Sequence, residues 1–187
     1  MILSTIKFSA AVILTASAIS GAAFAGGLCA KKGLTWGFYY TNSTTGTSAV
    51  WCHGPLAGVL HKGEATDCDP YGGDTKCKVA RPLLCINKDT VYPRPTDVDD
   101  TNLYDKWSEG VIGTTKPVQP CTVATTLTQA NQICQAEFGP GWRVAEFHDG
   151  VGGLGWGLQA YGALGDPKHR VWVDINDKST TCWDRTK

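Results

Sequence analysis

The chain contains eight cysteines, and this count restricts its fold more than any other feature of the sequence. They are Cys29, Cys52, Cys68, Cys77, Cys85, Cys121, Cys134 and Cys182. Their spacing includes no C-x-x-C pair, the arrangement that zinc sites commonly use. We therefore expect four disulfides, each contributing about 2–4 kcal/mol to stability, and no metal site. Because eight cysteines allow about 105 pairings, the sequence leaves most of the connectivity open.

The first 25 residues have the organisation of a secretory signal peptide of bacterial type. Lys7 precedes an apolar run over residues 8–19, and small residues then lead to an Ala-Phe-Ala cleavage site at residues 23–25. This run is shorter than the roughly 20 residues that a membrane-spanning helix needs, so no membrane span is predicted. We expect a secreted protein, extracellular or periplasmic, in a compartment where disulfides persist.

The charges of the chain are balanced, with seventeen basic and seventeen acidic side chains and no long block of either sign. Nucleic acids and anionic membranes bind concentrated positive charge, so neither is predicted as a partner. No cofactor is expected. The mature length of about 160 residues is sufficient for one domain with a sizeable core.

Residues 26–100 are expected to form a β-hairpin followed by an irregular, cysteine-stapled region. Apolar and aromatic segments at 34–40 and 49–52 flank a turn-rich stretch, which predicts the hairpin. Residues 53–78 lack periodicity and contain a strong Asp-Pro-Tyr-Gly-Gly turn signal. Cys68 and Cys77 are a candidate local bridge in that region.

Residues 101–187 contain the clearest element of the sequence, a helix over residues 126–138. Thr126 and Gln129 form a capping-box pattern, and apolar residues recur at helical spacing up to Gly139, which suits a left-handed helix end. Short strands are predicted on both sides of this helix, at residues 79–87, 107–112, 142–147 and 169–176. The predicted class is α+β, with one main helix and short antiparallel strands.

The order of motifs after the helix resembles the C-type lectin-like fold. Cys134 on the helix is followed by Gly-Trp-Arg-Val-Ala at 141–145, a glycine- and aromatic-rich stretch, Trp-Val-Asp-Ile-Asn-Asp at 172–177, and Cys182 beside a tryptophan. The resemblance implies a C-type lectin-like region at 101–187, a disulfide between Cys134 and Cys182, and a ligand held by a long irregular loop. The family's Glu-Pro-Asn and Gln-Pro-Asp tripeptides are absent, so the resemblance does not imply a calcium-dependent sugar site.

Candidate ligand contacts surround the glycine-rich stretch at residues 150–165. On a strand, Glu146 and His148 would lie on one face and could contact a ligand together. Alternatively, His148 and Asp149 hold the backbone at the end of that strand. A catalytic role would make His148 a general base, but no nucleophile motif such as G-x-S-x-G accompanies it, and no catalytic residue is assigned.

The aromatic residues divide into core and surface candidates. Trp142, Trp172 and Trp183 suit core or disulfide-packing roles, because large aromatic rings bury most of their area. Trp156 and Tyr161 lie in the glycine-rich stretch, where they could stack on a ligand or anchor the loop to the body. Together the candidate ligand-binding residues are Glu146, His148, Trp156, Tyr161 and Asn176.

The sequence therefore predicts a secreted, disulfide-stabilised binding module that recognises a surface glycan or protein through the glycine-rich stretch. The alternative is an extracellular structural protein that associates with itself into a filament or surface layer. A secreted hydrolase is a third class, and we do not expect an enzyme.

Overall fold

The computed structural model describes residues 27–52, 68–162, 164 and 170–184, and the predicted signal peptide lies outside them. The described elements are β1 (Lys32–Gly33), β2 (Thr35–Asn42), β3 (Thr47–Trp51), β4 (Thr75–Lys76), β5 (Leu84–Asn87), β6 (Asp105–Thr114), α1 (Pro120–Val123), α2 (Leu127–Phe138), β7 (Arg143–Val144), β8 (Gly157–Tyr161) and β9 (Val171–Trp172). The mixed sheet with few helices confirms the predicted α+β class. No helix in the described ranges has the length and apolar content to cross a membrane.

Seven of these strands form one sheet in the order β7-β5-β6-β8-β3-β2-β9. Neighbouring strands are antiparallel except β6 and β8, which are parallel, and β1 pairs with β4 in a separate two-stranded sheet. The predicted hairpin is confirmed as β2 and β3, which pair from Asn42 and Thr47 onward. The large sheet contains strands from both sides of residue 100 in mixed order, so the two predicted regions share one sheet.

The two edges of the large sheet approach each other. Isolated bridges join Leu83 to Trp172 and Glu146 to Asp174. Backbone hydrogen bonds continue across the same junction, with the Trp172 amide donating to Pro82 at 2.8 Å. The sheet thus curves until its edge strand β9 lies beside the segments that precede β5 and follow β7.

The curved sheet carries an apolar core on each face. Val171 and Val173 belong to one cluster with the large side chains of β2, whereas Trp172 belongs to a second cluster beside α2. Alternate residues of an extended chain point to opposite faces, which explains the division. Both faces of this segment are therefore buried, since Arg170 and Asp174 also lie in the interior. Trp172 and Trp183 are core residues as predicted.

Helix α2 begins and ends as the sequence predicts. The Thr126 side chain accepts a hydrogen bond from the Gln129 amide, and the Gln129 side chain accepts one from the Thr126 amide. Gly139 ends the helix with a φ of 103°, a conformation that favours glycine. The helix packs on β7, where Asn131 accepts a hydrogen bond from the Val144 amide at 2.9 Å.

Four disulfides are present, as the cysteine count predicts, but both specific pairings expected above are wrong. The bridges are Cys29–Cys121, Cys52–Cys68, Cys77–Cys182 and Cys85–Cys134. Cys134 bonds to Cys85 of β5, which is the neighbour in the sheet of β7, the strand that α2 packs on. Cys77 follows β4, which pairs with β1 next to Cys182, and a Cβ at Gly33 would lie 2.5 Å from the Cys182 sulfur. The bridge between Cys134 and Cys182 that the C-type lectin-like resemblance implies is absent.

Asp105 begins β6 as a buried carboxylate. Its side chain is 6% exposed, and its Oδ1 is buried without a hydrogen-bond partner among the described residues. Burial, together with the negative charges of Asp99 and Asp100, raises the pKa of Asp105 from 3.8 to about 6. The folded protein therefore holds this proton more tightly than the unfolded chain does, and stability falls as the pH rises between these two values.

We expect Asp105→Asn to stabilise the protein at pH 7.5 by about 1–3 kcal/mol, because it removes a charge that is costly to bury. The gain should be much smaller at pH 3.5, where Asp105 is protonated in the fold. Urea unfolding at both pH values measures the difference. Asp97→Asn removes an exposed carboxylate nearby and serves as the control. Equal effects of the two substitutions at pH 7.5 would contradict the assignment.

Candidate functional site

The predicted strand at residues 142–147 is shorter than expected, and this changes how Glu146 and His148 meet. β7 ends at Val144, and His148 lies in a turn, not on a strand face. The turn brings the two side chains together, with His148 Nδ1 3.1 Å from Glu146 Oε1. The His148 amide also donates to Glu146 Oε2 at 2.8 Å. The proximity predicted from a strand is therefore produced by a turn.

Asp149 stabilises this turn through its buried side chain. Its side chain is 6% exposed and accepts two hydrogen bonds from the Arg143 guanidinium and one from the Glu146 amide at 2.7 Å. Burial would lower the pKa of Arg143, but the hydrogen bonds and charge of Asp149 outweigh that effect and raise it. The pair is a bidentate, charge-assisted clamp that fixes the position of the turn.

Glu146 links the turn to the segment after β9. Its Oε1 accepts a hydrogen bond from the Asn176 amide at 3.0 Å as well as contacting His148. Both carboxylate oxygens therefore have protein partners. Asn176 takes part through its backbone, while its side chain is exposed. This arrangement makes Glu146 a positioning residue and leaves the outer edge of the His148 ring, which is exposed, available to a ligand.

A shallow cleft of about 120 Å³ lies beside this turn. We call it the Tyr71–Trp156 cleft after two of the aromatic residues that line it. Its other polar lining groups are His148, Asp177 and Lys178. Lys178 Nζ lies 5.5 Å from the centre of the Tyr71 ring and 3.5 Å from the Asp177 carboxylate. The cleft thus combines aromatic surface with a closely spaced cation and anion.

Sequence reasoning did not identify Asp177 or Lys178 of this cleft, and it also missed Tyr71. Tyr71 lies in the predicted Asp-Pro-Tyr-Gly-Gly turn, where Asp69 Oδ1 accepts hydrogen bonds from the amides of Tyr71 and Gly72 at 2.9 and 2.7 Å. The Thr180 hydroxyl donates to the Pro70 carbonyl and joins this turn to the segment after β9. Tyr71 is 69% exposed, so its ring is presented outward by a well-fixed backbone.

Trp156 also lines the cleft and is partly buried. Its ring makes an edge-to-face contact with Phe147, at 5.8 Å between centroids, and Phe147 in turn contacts Trp36 in the core at 5.9 Å. The Trp156 carbonyl accepts a hydrogen bond from the Cys52 amide at 2.8 Å. Trp156 is therefore anchored to the core while it lines the cleft.

Tyr161 lies apart from the other four candidate residues, although the prediction placed it with Trp156 in one glycine-rich loop. The glycine-rich stretch is partly a strand, because residues 157–161 form β8 between β3 and β6. Glycine is required at its start, since a Cβ at Gly157 would lie 2.6 Å from the Val50 carbonyl oxygen. Extended backbone carries Tyr161 away from Trp156 to a contact with Trp107 at 5.2 Å.

Two further observations complete the description of the site. In the part of the chain that the structure describes, no three His, Cys, Asp or Glu side chains are placed to hold a metal ion. No protein-family model, curated protein or solved structure matches the chain.

Proposed function

We propose that this protein is an exported binding module that holds a glycan in the Tyr71–Trp156 cleft. The observation that carries the proposal is the exposed ring of Tyr71 beside Trp156, His148, Asp177 and Lys178 in one shallow cleft. Four disulfides suit an oxidising, extracellular compartment, where surface glycans are found. The C-type lectin-like resemblance remains a hypothesis about the carboxyl-terminal region, and the proposal does not depend on it.

The chemistry of a sugar ring matches the composition of the cleft. One face of a hexose carries C–H groups and is apolar, while its edges carry hydroxyls that donate and accept hydrogen bonds. Tyr71 and Trp156 offer flat apolar surfaces with little side-chain entropy to lose. Asp177 accepts hydrogen bonds from hydroxyls, and Lys178 donates to them, through charge-assisted contacts. A ring stacked on Tyr71 would keep its edge within reach of both charges.

The contacts that hold Tyr71, Trp156 and His148 in place favour binding by a preformed site. Tyr71 is held by the Asp69 turn and Trp156 by its contact with Phe147. The Arg143–Asp149 clamp fixes the turn that carries His148. Little ordering is therefore needed when a ligand binds, which reduces the entropic cost of association.

We expect Tyr71→Ala and Trp156→Ala each to weaken glycan binding by about tenfold or more, because each removes a stacking surface worth about 1.4 kcal/mol or more. The wild-type protein is first applied to a printed array of bacterial and animal glycans, and the glycan with the strongest signal is then titrated by calorimetry. Tyr71→Ala is the cleaner variant, since that side chain is exposed and its loss leaves the core intact.

Tyr104→Ala is the matched control, because Tyr104 is 46% exposed and does not line the Tyr71–Trp156 cleft. It should bind the same glycan with unchanged affinity. The proposal fails if no glycan on the array binds the folded wild-type protein, or if Tyr71→Ala binds the titrated glycan as tightly as the wild type does.

A further inference from the structure

A second cleft lies on the other side of the turn formed by residues 150–155. Val151 lines the second cleft and Leu154 lines the first, so this short turn separates the two. The volume of the second cleft is about 220 Å³. We call it the Tyr92–Glu109 cleft after two of its lining residues. None of the candidate residues of the first cleft lines it.

The backbone at Glu109 is held in an unusual conformation. Its φ is 61°, in the left-handed region that residues with a Cβ seldom adopt, and it lies within β6 where the pairing with β8 is irregular. The Tyr92 amide donates a hydrogen bond to the Glu109 carbonyl at 3.1 Å and helps to hold this conformation. Strain of this kind persists where the surrounding structure fixes it, and it is concentrated at binding and catalytic sites.

The lining of the second cleft carries more negative than positive charge. Arg94 and Asp100 line the cleft with opposite charges, and the Arg94 guanidinium donates to the Val98 carbonyl. Asp100 accepts a hydrogen bond from the Trp107 amide at 2.7 Å. Glu109 is partly buried, and its carboxylate has no hydrogen bond or ion pair with any residue that the structure describes. The cleft lining therefore holds two carboxylates, of Asp100 and Glu109, and one guanidinium, of Arg94, so its formal charge is negative.

The walls of the second cleft are aromatic and apolar. Trp107 is almost fully buried, and its indole N–H donates to the Tyr92 carbonyl at 2.8 Å. Val91 and Val151 at the rim are 68% and 47% exposed. An apolar rim with a carboxylate inside suits a long aliphatic side chain that ends in a cation, because such a chain packs its stem on apolar surface and places its charged end against the carboxylate.

We propose that the Tyr92–Glu109 cleft binds a basic side chain, lysine or arginine, of a partner protein. The apolar rim distinguishes this ligand from an amino sugar, whose ammonium group lies among hydroxyls and has no aliphatic stem. The site is separate from the glycan cleft, so the protein would contact a glycan and a polypeptide on the two sides of one turn. This inference does not rest on the proposed glycan function.

The test uses an acetylated and amidated Gly-Gly-Lys-Gly-Gly peptide, with the arginine and norleucine peptides in parallel. ¹⁵N-labelled protein is titrated, and the indole N–H signal of Trp107 is followed. The lysine or arginine peptide should shift this signal saturably, while the norleucine peptide, which has no charge, should bind about tenfold or more weakly. Glu109→Gln should reduce the affinity for the basic peptide by a similar factor.

Glu137→Gln removes the same charge from the exposed face of α2 and should leave binding unchanged. Tyr71→Ala should also leave it unchanged, which separates this site from the glycan cleft. Melting temperatures of the variants confirm that each is folded. A glucosamine tetramer is titrated in the same way as the peptides. The proposal is overturned if the basic and norleucine peptides bind alike or if Glu109→Gln binds the basic peptide normally. It is also overturned if the glucosamine tetramer shifts the Trp107 signal and the basic peptides do not.

Discussion

Replacing Cys77 and Cys182 together by alanine is expected to lower the free energy of unfolding by about 3–5 kcal/mol, the largest loss of any single bridge. This disulfide joins residues 105 positions apart, the longest separation among the four. Closing a longer loop removes more conformational freedom from the unfolded chain, so its loss costs more stability. Both cysteines are fully buried in the core beside α2, and their removal also loosens that packing.

Cys52→Ala with Cys68→Ala provides the comparison, because that bridge closes a segment of only 16 residues. We expect its loss to cost about 3 kcal/mol or less by the same loop argument. Chemical unfolding of the two double variants measures which of them loses more unfolding free energy. A larger loss for the shorter bridge would contradict the loop argument, and peptide mapping that joins Cys182 to any cysteine other than Cys77 would contradict the fold.

Trp172→Ala is expected to lower the free energy of unfolding by about 3–5 kcal/mol. Trp172 is fully buried in β9, next to α2 and Trp183, and it bridges to Leu83 where the two edges of the sheet meet. Its removal leaves a cavity at the junction that closes the sheet. The gap cannot collapse easily, because the surrounding disulfides restrain the backbone.

Trp172→Phe is the control for this prediction. It keeps an aromatic ring in the core, and it loses no hydrogen bond because the Trp172 indole N–H has no partner among the described residues. Its cost should be clearly smaller than that of the alanine variant. Urea unfolding followed by far-ultraviolet circular dichroism compares the two, and equal losses would show that Trp172 does not fill the junction as described.

Local elements of the fold could be predicted from the sequence because their signals are local. Helix α2 was predicted from the Thr126–Gln129 capping box and Gly139, and the hairpin from two apolar segments around a turn. Disulfide pairing could not be predicted, since Cys77 meets Cys182 only through the pairing of β1 with β4. Strand β8 was not predicted from the sequence, because glycine usually argues against a strand. Here Gly157 is required by the close approach of the Val50 carbonyl oxygen.

The candidate site shows the same division between local and long-range information. His148 and Glu146 were identified from their closeness in sequence, and the structure does place them side by side. Tyr71 lies about 75 residues before them, and the Thr180 contact with Pro70 helps to hold its turn beside the cleft. No periodicity or motif predicts such a contact, because the contact depends on how the whole chain curves. Glu109 was missed for a related reason, since its positive φ is produced by the irregular pairing of β6 and β8.

The location of glycan binding tests the central proposal most directly. The seven tryptophans of the chain can be replaced by 5-fluorotryptophan, and each then gives its own ¹⁹F signal, which single Trp→Phe variants assign. The glycan selected on the array is titrated into this protein. We predict that the Trp156 signal shifts saturably while the signals of the buried Trp172 and Trp183 stay unchanged. Saturable binding that leaves the Trp156 signal unmoved would contradict the proposed cleft.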